Sequence, residues 1–554
     1  MTKAISTSIY SFKDLIENNC IYVDKTKYLY DIISAPKGQF FCSRPRRFGK
    51  SLTISTLEAI FCGQKELFKD CYIYNETDYD WKKYPIIRLD FAKANLSSIE
   101  LLSSWLLQTL NGIAKANGIE VKNTDPALLF GELIEALYKK ENQTGVVVLV
   151  DEYDKPIMEH LENENEAEMF RNFMETFYQM IKGYEQYERF VFMTGVIKFA
   201  KLSIFSKLNS LTDISMDRKY ACMFGYTEDE LETYFGEYIE ALNKEGIYDE
   251  NRNKLDYASI LTTLKRWYDG FRFSPREESV YNPVSIGSFF RNEGIFSNYW
   301  FETGTPKVLI KTMQQIQITL DDVRDPIISR DTFSVFDITE FAFSSDGIKN
   351  GNARRIIGKQ KFLQLLYQTG YMTLGDVPED GLSDSYYPMR FPNKEVRDSF
   401  QKNIVSLFVD EDPADFSATV DLIKRAAREG KSKDIRKYME NIFANIPYTI
   451  QIAEEKYYQS IMYTVFLLCG MDIDPEVATN VGRIDAVLDA GEHIYIFEFK
   501  FEKTADEALD QIERKKYAEK YLIKAEEKGQ TIHKIGVEFS YNKDQRNIIE
   551  WVEV

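Results

Sequence analysis

The chain has 554 residues, 44% of them hydrophobic and 14% aromatic, which excludes a disordered protein and is too long for one hydrophobic core. We therefore predict three or four folded domains. The formal net charge of −18 excludes nucleic-acid binding by a generally basic surface, so any such contact must use local basic patches.

Histidine and cysteine usage narrows the chemistry further. The three histidines, His160, His493 and His533, are far apart in the sequence, which argues against a zinc site or a Ser-His-Asp triad. The six cysteines form no Cys-x-x-Cys pair and are interpreted as buried, reduced thiols. Because no signal-peptide pattern and no apolar run of membrane-spanning length occurs, we predict a cytoplasmic protein that does not use a membrane.

The first third of the chain alternates between strand and helix patterns, which is typical of an α/β fold with a parallel sheet. Strands are predicted at 39–43, 86–91, 145–150 and 190–194. Helices are predicted between them, for example at 50–61 and 166–182. The third strand is apolar throughout, as strands covered on both faces are.

The first predicted strand leads into the segment Ser43–Ser51 (SRPRRFGKS), which opens a helix. This context favours a phosphate-binding loop, because a helix N-terminus offers free N–H groups and a positive dipole. Gly49 allows close approach of the backbone, Lys50 can reach the β- and γ-phosphates, and Ser51 can ligate Mg²⁺. The segment therefore predicts ATP and Mg²⁺ as cofactors.

The loop departs from the Gly-x-x-x-x-Gly-Lys-Ser pattern, since Arg44 stands at the position of the first glycine. A left-handed backbone there would be strained for arginine. Arg44, Arg46 and Arg47 add positive charge, and we predict that they contact phosphate directly. The alternative interpretation is a basic strand-to-helix turn that binds no ATP.

The strand at 145–150 runs directly into two acids, Asp151 and Glu152, in a Walker B arrangement. We predict that Asp151 holds Mg²⁺ through water and that Glu152 polarises the attacking water. Thr194, at the end of the fourth strand, is the predicted sensor of the γ-phosphate. An ordinary solvated strand end is the alternative for the two acids.

Beyond the first sheet the pattern becomes mainly helical and then mixed. Thr227–Glu230 predicts a capping box that starts an amphipathic helix. Residues 362–371 predict a helix that ends near a glycine and leads into a strand, and Arg218 and Arg272 are candidate arginine fingers by location alone. The predicted domains are a core at 1–225, a helical lid at 226–300, a winged-helix-like connector at 301–395 and a C-terminal α/β domain at 396–554.

Two strands near the C-terminus carry a second group of polar residues. Asp485 lies on one predicted strand, Glu498 and Lys500 lie on the next, and the residues 489–492 form a predicted hairpin turn. Residues i and i+2 of a strand share a face, so Glu498 and Lys500 point the same way. The opposite face is apolar and predicts a core contact: Tyr495, Phe497, Phe499 and Phe501.

Two carboxylates and an amine on rigid strands are suited to a hard divalent cation such as Mg²⁺, which prefers oxygen ligands and keeps several waters. Lys500 would lie beside such a water and could orient it or stabilise developing charge on phosphorus. A surface hairpin with a chance Glu-Lys pair is the alternative. A final strand is predicted at 535–539.

This hairpin resembles the active-site hairpin of the PD-(D/E)XK nuclease superfamily, in the branch related to RecB-like nucleases. The resemblance implies that Asp485 and Glu498 are metal ligands and that Lys500 is the catalytic lysine, with the carbonyl of Phe499 as a further ligand. It also implies an acidic ligand on a preceding helix, for which Glu455 is the best match and Glu454 the runner-up. Gln511 and Tyr517 match a further Gln and Tyr of this branch at longer than usual spacing.

The order of the motifs along the whole chain resembles a large bacterial family of predicted AAA-like ATPases joined to a PD-(D/E)XK-type nuclease domain. That family carries the same arginine in its phosphate loop. The resemblance rests on the loop, the hairpin and four further segments: 22–26 (YVDKT), 267–270 (WYDG), 299–306 (YWFETGTP) and 392–397 (PNKEVR).

Three functions are consistent with these patterns. The first is an ATP-regulated or ATP-driven, Mg²⁺-dependent nuclease acting on DNA, with Arg514, Lys515 and Lys516 following the phosphate backbone; a solvated helix face is the alternative for these three residues. The second is a nucleotide switch whose inactive nuclease-like domain binds nucleic acid or a partner without cutting. A defence or toxin role is a third setting. The sequence leaves DNA versus RNA and the oligomeric state open.

Overall fold

The computed structural model of the chain describes residues 3–161, 163–199, 211–249, 253–275, 277–300, 326–329, 351–376, 386–400, 413–446, 455–469, 471–479, 482–501, 503–541 and 546–554. These residues form two compact units. One contains the described residues up to Val396, and the other contains those from Arg397 to Val554.

The N-terminal unit is built on a five-stranded parallel sheet of order β2-β3-β4-β1-β5. The strands are β1 (Gly38–Ser43), β2 (Ile86–Asp90), β3 (Val146–Asp151), β4 (Glu188–Gly195) and β5 (Leu211–Asp213). All residues of β3 are buried, which agrees with a strand covered on both faces. The parallel sheet and the α/β class are therefore confirmed, whereas the short edge strand β5 was not predicted.

Helices that follow or separate the strands cover the sheet. They are α1 (Phe12–Glu17), α2 (Thr26–Ile33), α3 (Lys50–Phe61), α4 (Tyr72–Asn75), α5 (Ile99–Ala116), α6 (Pro126–Lys140), α7 (Lys155–Met158) and α8 (Glu164–Gly183). Their apolar faces are buried, as in α6, where Leu129, Leu133 and Leu137 recur at helical spacing and are fully buried.

The segment after the first sheet is helical, as predicted. It contains α9 (Glu228–Glu245), α10 (Tyr257–Tyr268) and α11 (Pro283–Arg291). The capping box at the start of α9 is confirmed, because the Thr227 side chain accepts from Glu230 N–H and the Glu230 carboxylate accepts from Thr227 N–H. These helices share a core that includes Leu231, Leu264 and Phe289.

The rest of the N-terminal unit contains one further helix and a small sheet. The helix is α12 (Gly351–Thr369), and the sheet consists of β6 (Ile327–Ser329), β7 (Thr373–Leu374) and β8 (Tyr386–Arg390) in the order β6-β8-β7. The helix-to-strand transition predicted around Gly370 is confirmed, and Gly370 has a φ of 89°. The finer division into lid and connector stays a prediction.

The C-terminal unit contains a five-stranded mixed sheet of order β13-β12-β11-β10-β9. Its strands are β9 (Asp472–Thr479), β10 (Gly482–Asp489), β11 (His493–Phe501), β12 (Thr531–Tyr541) and β13 (Arg546–Glu553). Only the pair of β11 and β12 is parallel among the described pairs of this sheet. The prediction that 535–539 is the final strand was wrong, since β13 follows it, and β9 was not predicted.

Helices cover both faces of this sheet. They are α13 (Pro413–Arg428), α14 (Ser432–Ala444), α15 (Glu455–Leu468), α16 (Ala505–Arg514) and α17 (Glu519–Lys528). Phe497 and Phe499 of β11 share a core with residues of α13, α14 and α15, whereas Ile494 and Ile496 share another with residues of α16 and α17. The apolar face predicted for β11 is thus confirmed. Among the described helices, none has both the length and the hydropathy needed to cross a membrane.

Candidate functional site

The predicted phosphate loop lies between β1 and α3. Gly49 is the N-cap residue of α3 with a φ of 90°, and Arg47 has a φ of 69°. Both residues are in the left-handed region, which glycine adopts readily and arginine adopts at a cost. Arg44 has no positive φ, so the strain expected at the substituted first position is absent, and the left-handed residues come later in the loop.

The guanidinium of Arg44 is buried, and both of its terminal nitrogens donate to backbone carbonyl oxygens. Its Nη1 donates to the carbonyl oxygens of Ser43 (2.8 Å) and Ser215 (2.6 Å), and its Nη2 donates to that of Tyr220 (3.2 Å). It also lies over the ring of Phe273, 4.3 Å from the centroid. The structure does not place Arg44 for the predicted phosphate contact, because these partners hold its charge inside the protein, where it anchors the loop.

The other two loop arginines lie nearer to solvent. Arg46 is exposed, and its charge contributes to a lowered pKa of Lys50, so the two groups are close. Arg47 is half-buried and donates a hydrogen bond to the Tyr10 hydroxyl. The phosphate contacts predicted for both arginines stay predictions.

Lys50 begins α3 with its amine buried. Its Nζ donates to the carbonyl oxygens of Arg44 (2.9 Å) and Pro45 (2.8 Å). Burial lowers the pKa of Lys50, and the negative charges of Asp151, Asp154 and Glu152 oppose that shift. The Lys50 amine is therefore held by the loop backbone, with the carboxylates of the Asp151–Asp154 segment nearby.

Ser51 and Asp151 are brought together at the carboxyl edge of the sheet. Asp151 is 1% exposed. Burial raises the pKa of its carboxyl group, and a hydrogen bond with the Ser51 side chain and the charge of Lys50 lower it. A hydroxyl and a carboxylate beside a lysine form a donor set suited to Mg²⁺ with a nucleotide phosphate.

Glu152 follows with a backbone φ of 52°, an uncommon conformation for glutamate. Its side chain is 37% exposed, and its Oε2 lies 3.7 Å from Lys155 Nζ. The turn directs the chain out of the sheet immediately after Asp151. Glu152 is thus next to the acidic centre but accessible to solvent, as a group that contacts water must be.

Strand β4 lies between β1 and β3, so Thr194 is placed between the phosphate loop and Asp151. The Thr194 side chain is fully buried, and its hydroxyl donates to the Cys42 carbonyl oxygen at 2.8 Å. The predicted sensor therefore lies at the carboxyl edge of the sheet, where the loop and Asp151 also lie. Its hydroxyl proton is already donated to a backbone carbonyl oxygen of β1.

Asp154 is a residue of this site that the sequence analysis missed. It is 2% exposed, and its Oδ2 accepts from the backbone N–H groups of Val196 (2.8 Å) and Ile197 (2.7 Å). Burial raises its pKa to about 6, although these hydrogen bonds and Lys50 oppose the shift. Asp154 ties the Walker B turn to the segment after Thr194. A second acid three residues after Asp151 was the available signal.

The two candidate arginine fingers are both paired. Arg218 forms an ion pair with Glu277, and Arg272 forms one with Asp376 at 2.7 Å. Arg272 also donates to the Gly375 carbonyl oxygen at 3.2 Å. In these positions both arginines join segments of the N-terminal unit.

The predicted hairpin of β10 and β11 forms in the C-terminal unit. Asp489 pairs with Ile494, and Gly491 in the turn has a φ of 90°. Asp485 Oδ2 accepts from Phe499 N–H at 2.8 Å, so the carboxylate spans the two strands. The structure therefore brings Asp485 next to the Glu498–Lys500 pair.

Glu498 is the centre of this second site. It is 1% exposed, and its Oε1 accepts from Lys500 Nζ at 2.9 Å and from Gln511 Nε2. Its Oε2 is buried and has no hydrogen-bond partner among the described residues. An unsatisfied buried carboxylate oxygen is costly unless a cation or water is bound there.

The surroundings of Glu498 favour its protonated form. Burial and the charge of Asp485 raise the pKa of Glu498 to about 7, although Lys500 opposes them. No group of three or more His, Cys, Asp or Glu side chains suited to a metal occurs within the described residues. Two carboxylates suffice for Mg²⁺, which keeps several waters, so the residues present fit this ion.

Of the remaining residues implied by the nuclease resemblance, some lie at the site and others fall outside the described residues. Gln511 reaches Glu498 from α16, so its longer spacing does not keep it away, and Tyr517 is 2% exposed within the core beneath α16 and α17. Glu455 is the first residue of α15, but its side chain falls outside the described residues, as does the whole of Glu454. The roles of Glu455 and of the Phe499 carbonyl stay predictions.

The basic residues after α16 are partly engaged. Arg514 is the last residue of α16, and Lys516 Nζ lies 3.1 Å from Glu519 Oε1 with both side chains exposed. Exposed ion pairs of this kind exchange readily with other partners. A contact of Arg514, Lys515 and Lys516 with a phosphate backbone stays a prediction.

The structure brings together two histidines that lie far apart in the sequence. His493 and His533 are not isolated, because parallel pairing of β11 with β12 places His493 Nδ1 2.9 Å from His533 Nε2. His533 Nδ1 lies 2.6 Å from Glu553 Oε1. Forty residues of sequence separate the histidines, so only the strand register shows the pair.

The chain is similar to known proteins in the same two regions. Residues 6–205 match the family described as Predicted AAA-ATPase, and residues 453–551 match the PD-(D/E)XK nuclease superfamily. The chain is 30% identical over 558 residues to the "Uncharacterized protein in vnfD 5'region" of Azotobacter chroococcum mcd 1, covering 99% of this chain and 98% of that protein. The chain belongs to the family of AAA-ATPase-like proteins that carry a C-terminal domain of the PD-(D/E)XK nuclease superfamily.

Proposed function

We propose that this protein is a Mg²⁺-dependent nuclease that cleaves DNA and is controlled by ATP binding and hydrolysis in its N-terminal unit. The observation that carries the proposal is the buried Glu498 carboxylate beside Asp485 and Lys500, whose Oε2 has no hydrogen-bond partner among the described residues. A carboxylate with a purely structural role at this position would carry an uncompensated desolvation free energy in the core. A metal ligand removes that cost when the ion is bound.

The chain's own residues divide the work of phosphodiester cleavage. Asp485 and Glu498 would hold Mg²⁺, which when bound neutralises phosphate charge and lowers the pKa of its water. Lys500 is held at 2.9 Å by Glu498, so its ammonium group is oriented to position the attacking water and to stabilise charge on the phosphate. Gln511 fixes the same Glu498 oxygen from α16.

The N-terminal unit supplies the nucleotide site in this proposal. Lys50 and the N-terminus of α3 would bind the phosphates of ATP, and Ser51 with Asp151 would hold the accompanying Mg²⁺. In the same proposal, Glu152 would orient the water for hydrolysis, and Thr194 would respond to the γ-phosphate. The adjacency of Ser51, Asp151 and Lys50 supports these roles.

A cleavage assay on single-stranded and duplex DNA with Mg²⁺, with and without ATP, tests the proposal. We expect Asp485→Ala and Lys500→Ala to reduce cleavage by at least about a hundredfold, because each removes charge acting on the reacting phosphate. ATP hydrolysis by both variants should stay at the unsubstituted rate. Chelation of Mg²⁺ should stop cleavage.

Asp489→Ala is the matched control, since Asp489 lies on the same strand but binds Gln530 and Lys524 at the hairpin turn. Its cleavage should be unchanged. Equal cleavage by Lys500→Ala and the unsubstituted protein would contradict the nuclease assignment. RNA cleavage in place of DNA cleavage would correct the substrate and keep the site.

A nucleotide switch without cleavage is the second candidate. Two observations favour it: Lys50 is hydrogen-bonded to two loop carbonyl oxygens, and Arg44 is buried. Both features are compatible with a nucleotide site that turns over slowly. It predicts ATP binding with slow turnover, and nucleic-acid or partner binding without metal-dependent cleavage. Steady ATP hydrolysis together with DNA cleavage would exclude it.

A further inference from the structure

The phosphate loop is held from outside the sheet by a tryptophan. Trp300 Nε1 donates to the carbonyl oxygen of Arg46 at 3.1 Å, and the indole is 5% exposed. Gly370 approaches the same loop so closely that an added Cβ would lie 2.7 Å from Pro45 Cβ. The loop therefore contacts two segments that belong to neither the sheet nor its covering helices.

Trp300 is in turn held by a buried glutamate. Glu395 is fully buried, and its Oε1 accepts from Trp300 N–H at 2.6 Å while its Oε2 accepts from the Ser285 hydroxyl at 2.7 Å. A buried carboxylate is retained only where hydrogen bonds compensate its desolvation. Glu395 thus fixes the backbone of Trp300 through Oε1 and is itself held by Ser285 through Oε2.

The segment around Glu395 is tied to a second segment of this unit, the turn at 267–270. Asn393 Nδ2 donates to the Asp269 carbonyl oxygen at 2.8 Å, and Lys394 lies over the Trp267 ring, 4.9 Å from its centroid. Gly270 has a φ of 103°, and a Cβ there would lie 1.9 Å from the Pro392 carbonyl oxygen. Three sequence segments without a role in either proposed site, those at 267–270, 299–306 and 392–397, therefore meet through their described residues.

We propose that Trp300 and Glu395 are positioning residues that hold the phosphate loop and transmit nucleotide binding from it to the segment 392–396. This inference rests on the proposed nucleotide site. ATP binding requires Lys50 to exchange its loop carbonyl partners for phosphate, so the Arg44–Arg46 backbone shifts and pulls on the Trp300 indole. The segment 392–396 directly precedes Arg397, where the described residues of the C-terminal unit begin.

Hydrogen exchange of the full chain, with and without ATP and Mg²⁺, tests the inference. In the unsubstituted protein, ATP should slow exchange of the amides at 46–50 and change exchange at 393–396. Trp300→Phe removes the Nε1 donor and keeps an aromatic ring, and Glu395→Gln keeps the shape and removes the charge. Both variants should keep the ATP effect at 46–50. Trp300→Phe should lose the effect at 393–396, with ATP affinity weakened about fivefold for the lost hydrogen bond, whereas Glu395→Gln, which keeps an acceptor for Trp300 N–H, should reduce the effect at 393–396.

Trp105→Phe is the matched control, because Trp105 packs on Phe91 beneath α5 and away from the loop; it should behave as the unsubstituted protein. An unchanged ATP effect at 393–396 in both Trp300→Phe and Glu395→Gln would overturn the inference and leave the nucleotide site intact. No ATP effect at 46–50 in the unsubstituted protein, with Lys50→Ala giving the same exchange, would overturn the nucleotide site and the inference together.

Discussion

The two candidate sites differ in how much of their geometry is already fixed. The N-terminal site lies where parallel strands end, and its lysine is engaged by loop carbonyl oxygens. The C-terminal site lies on paired strands, where Lys500 of the same strand and Gln511 of α16 already contact Glu498. Loop residues can exchange partners at low cost, whereas strand residues are fixed by the ladder. The first site is therefore suited to respond to a ligand and the second to present rigid chemistry.

Removing the central lysine of the N-terminal site should have the largest effect. Lys50→Ala should lower ATP hydrolysis by about a thousandfold, because the phosphate charge loses its main partner. Basal cleavage of DNA without ATP should be unchanged, since the C-terminal site is built separately. Measurement of both activities on one preparation checks this. Loss of basal cleavage in Lys50→Ala would show that the sites do not act separately.

The stability of the C-terminal unit should depend on pH because of Glu498 in its candidate site. The pKa of Glu498 is raised to about 7 in the folded protein, so the folded state retains a proton that the unfolded state loses above about 4.5. The C-terminal unit should therefore become less stable as pH rises from about 4.5 to 7, by at most about 3 kcal/mol. Thermal unfolding at pH 5 and pH 8 measures this difference.

Two comparisons identify Glu498 as the source of that pH dependence. Glu498→Gln should remove most of it, and Mg²⁺ should recover stability at pH 8 because it binds the ionised carboxylate. Glu538→Gln is the comparison. Glu538 lies opposite Lys500 in the sheet register, and burial also raises its pKa, but its carboxyl group is less buried, so its substitution should remove a smaller part of the pH dependence than Glu498→Gln. A pH dependence that persists in Glu498→Gln would contradict the assignment.

The anchoring role of Asp154 predicts a smaller effect on the N-terminal unit. A Cβ on Gly195 would lie 2.3 Å from Asp154 Oδ1, so Gly195→Ala should destabilise this unit by about 2 kcal/mol through overpacking. Chemical denaturation followed by hydrogen exchange of β3 and β4 measures the change. Gly183→Ala, where a Cβ meets no atom within 4 Å, is the control and should leave both strands protected.

The smallest effect is expected at the first position of the phosphate loop. Arg44→Lys keeps a positive charge but cannot donate to Ser43, Ser215 and Tyr220 together, so the N-terminal unit should lose about 1 kcal/mol of stability. ATP affinity should change little, since Arg44 is buried. Thermal unfolding with nucleotide titration measures both quantities. A large loss of ATP affinity at unchanged stability would instead support the direct phosphate contact.

Much of the fold followed from local patterns. The apolar run at β3, the alternation at β11 and the capping box at Thr227 each have a short-range cause, so they predicted the elements correctly. The edge strands β5 and β9 were missed. Their positions in the sheet depend on strands far away in sequence, and local pattern carries no information about that pairing.

The sequence by itself determined which residue types carry the chemistry: a lysine and serine opening a helix, two acids ending a buried strand, and an Asp facing a Glu-x-Lys across a hairpin. Tertiary structure decided how those side chains are used. It buried the Arg44 guanidinium, added Asp154, brought His493 against His533 and placed Trp300 and Glu395 behind the phosphate loop. Residue spacing fixes neighbours within one element, whereas burial and partners across elements depend on sheet order and register.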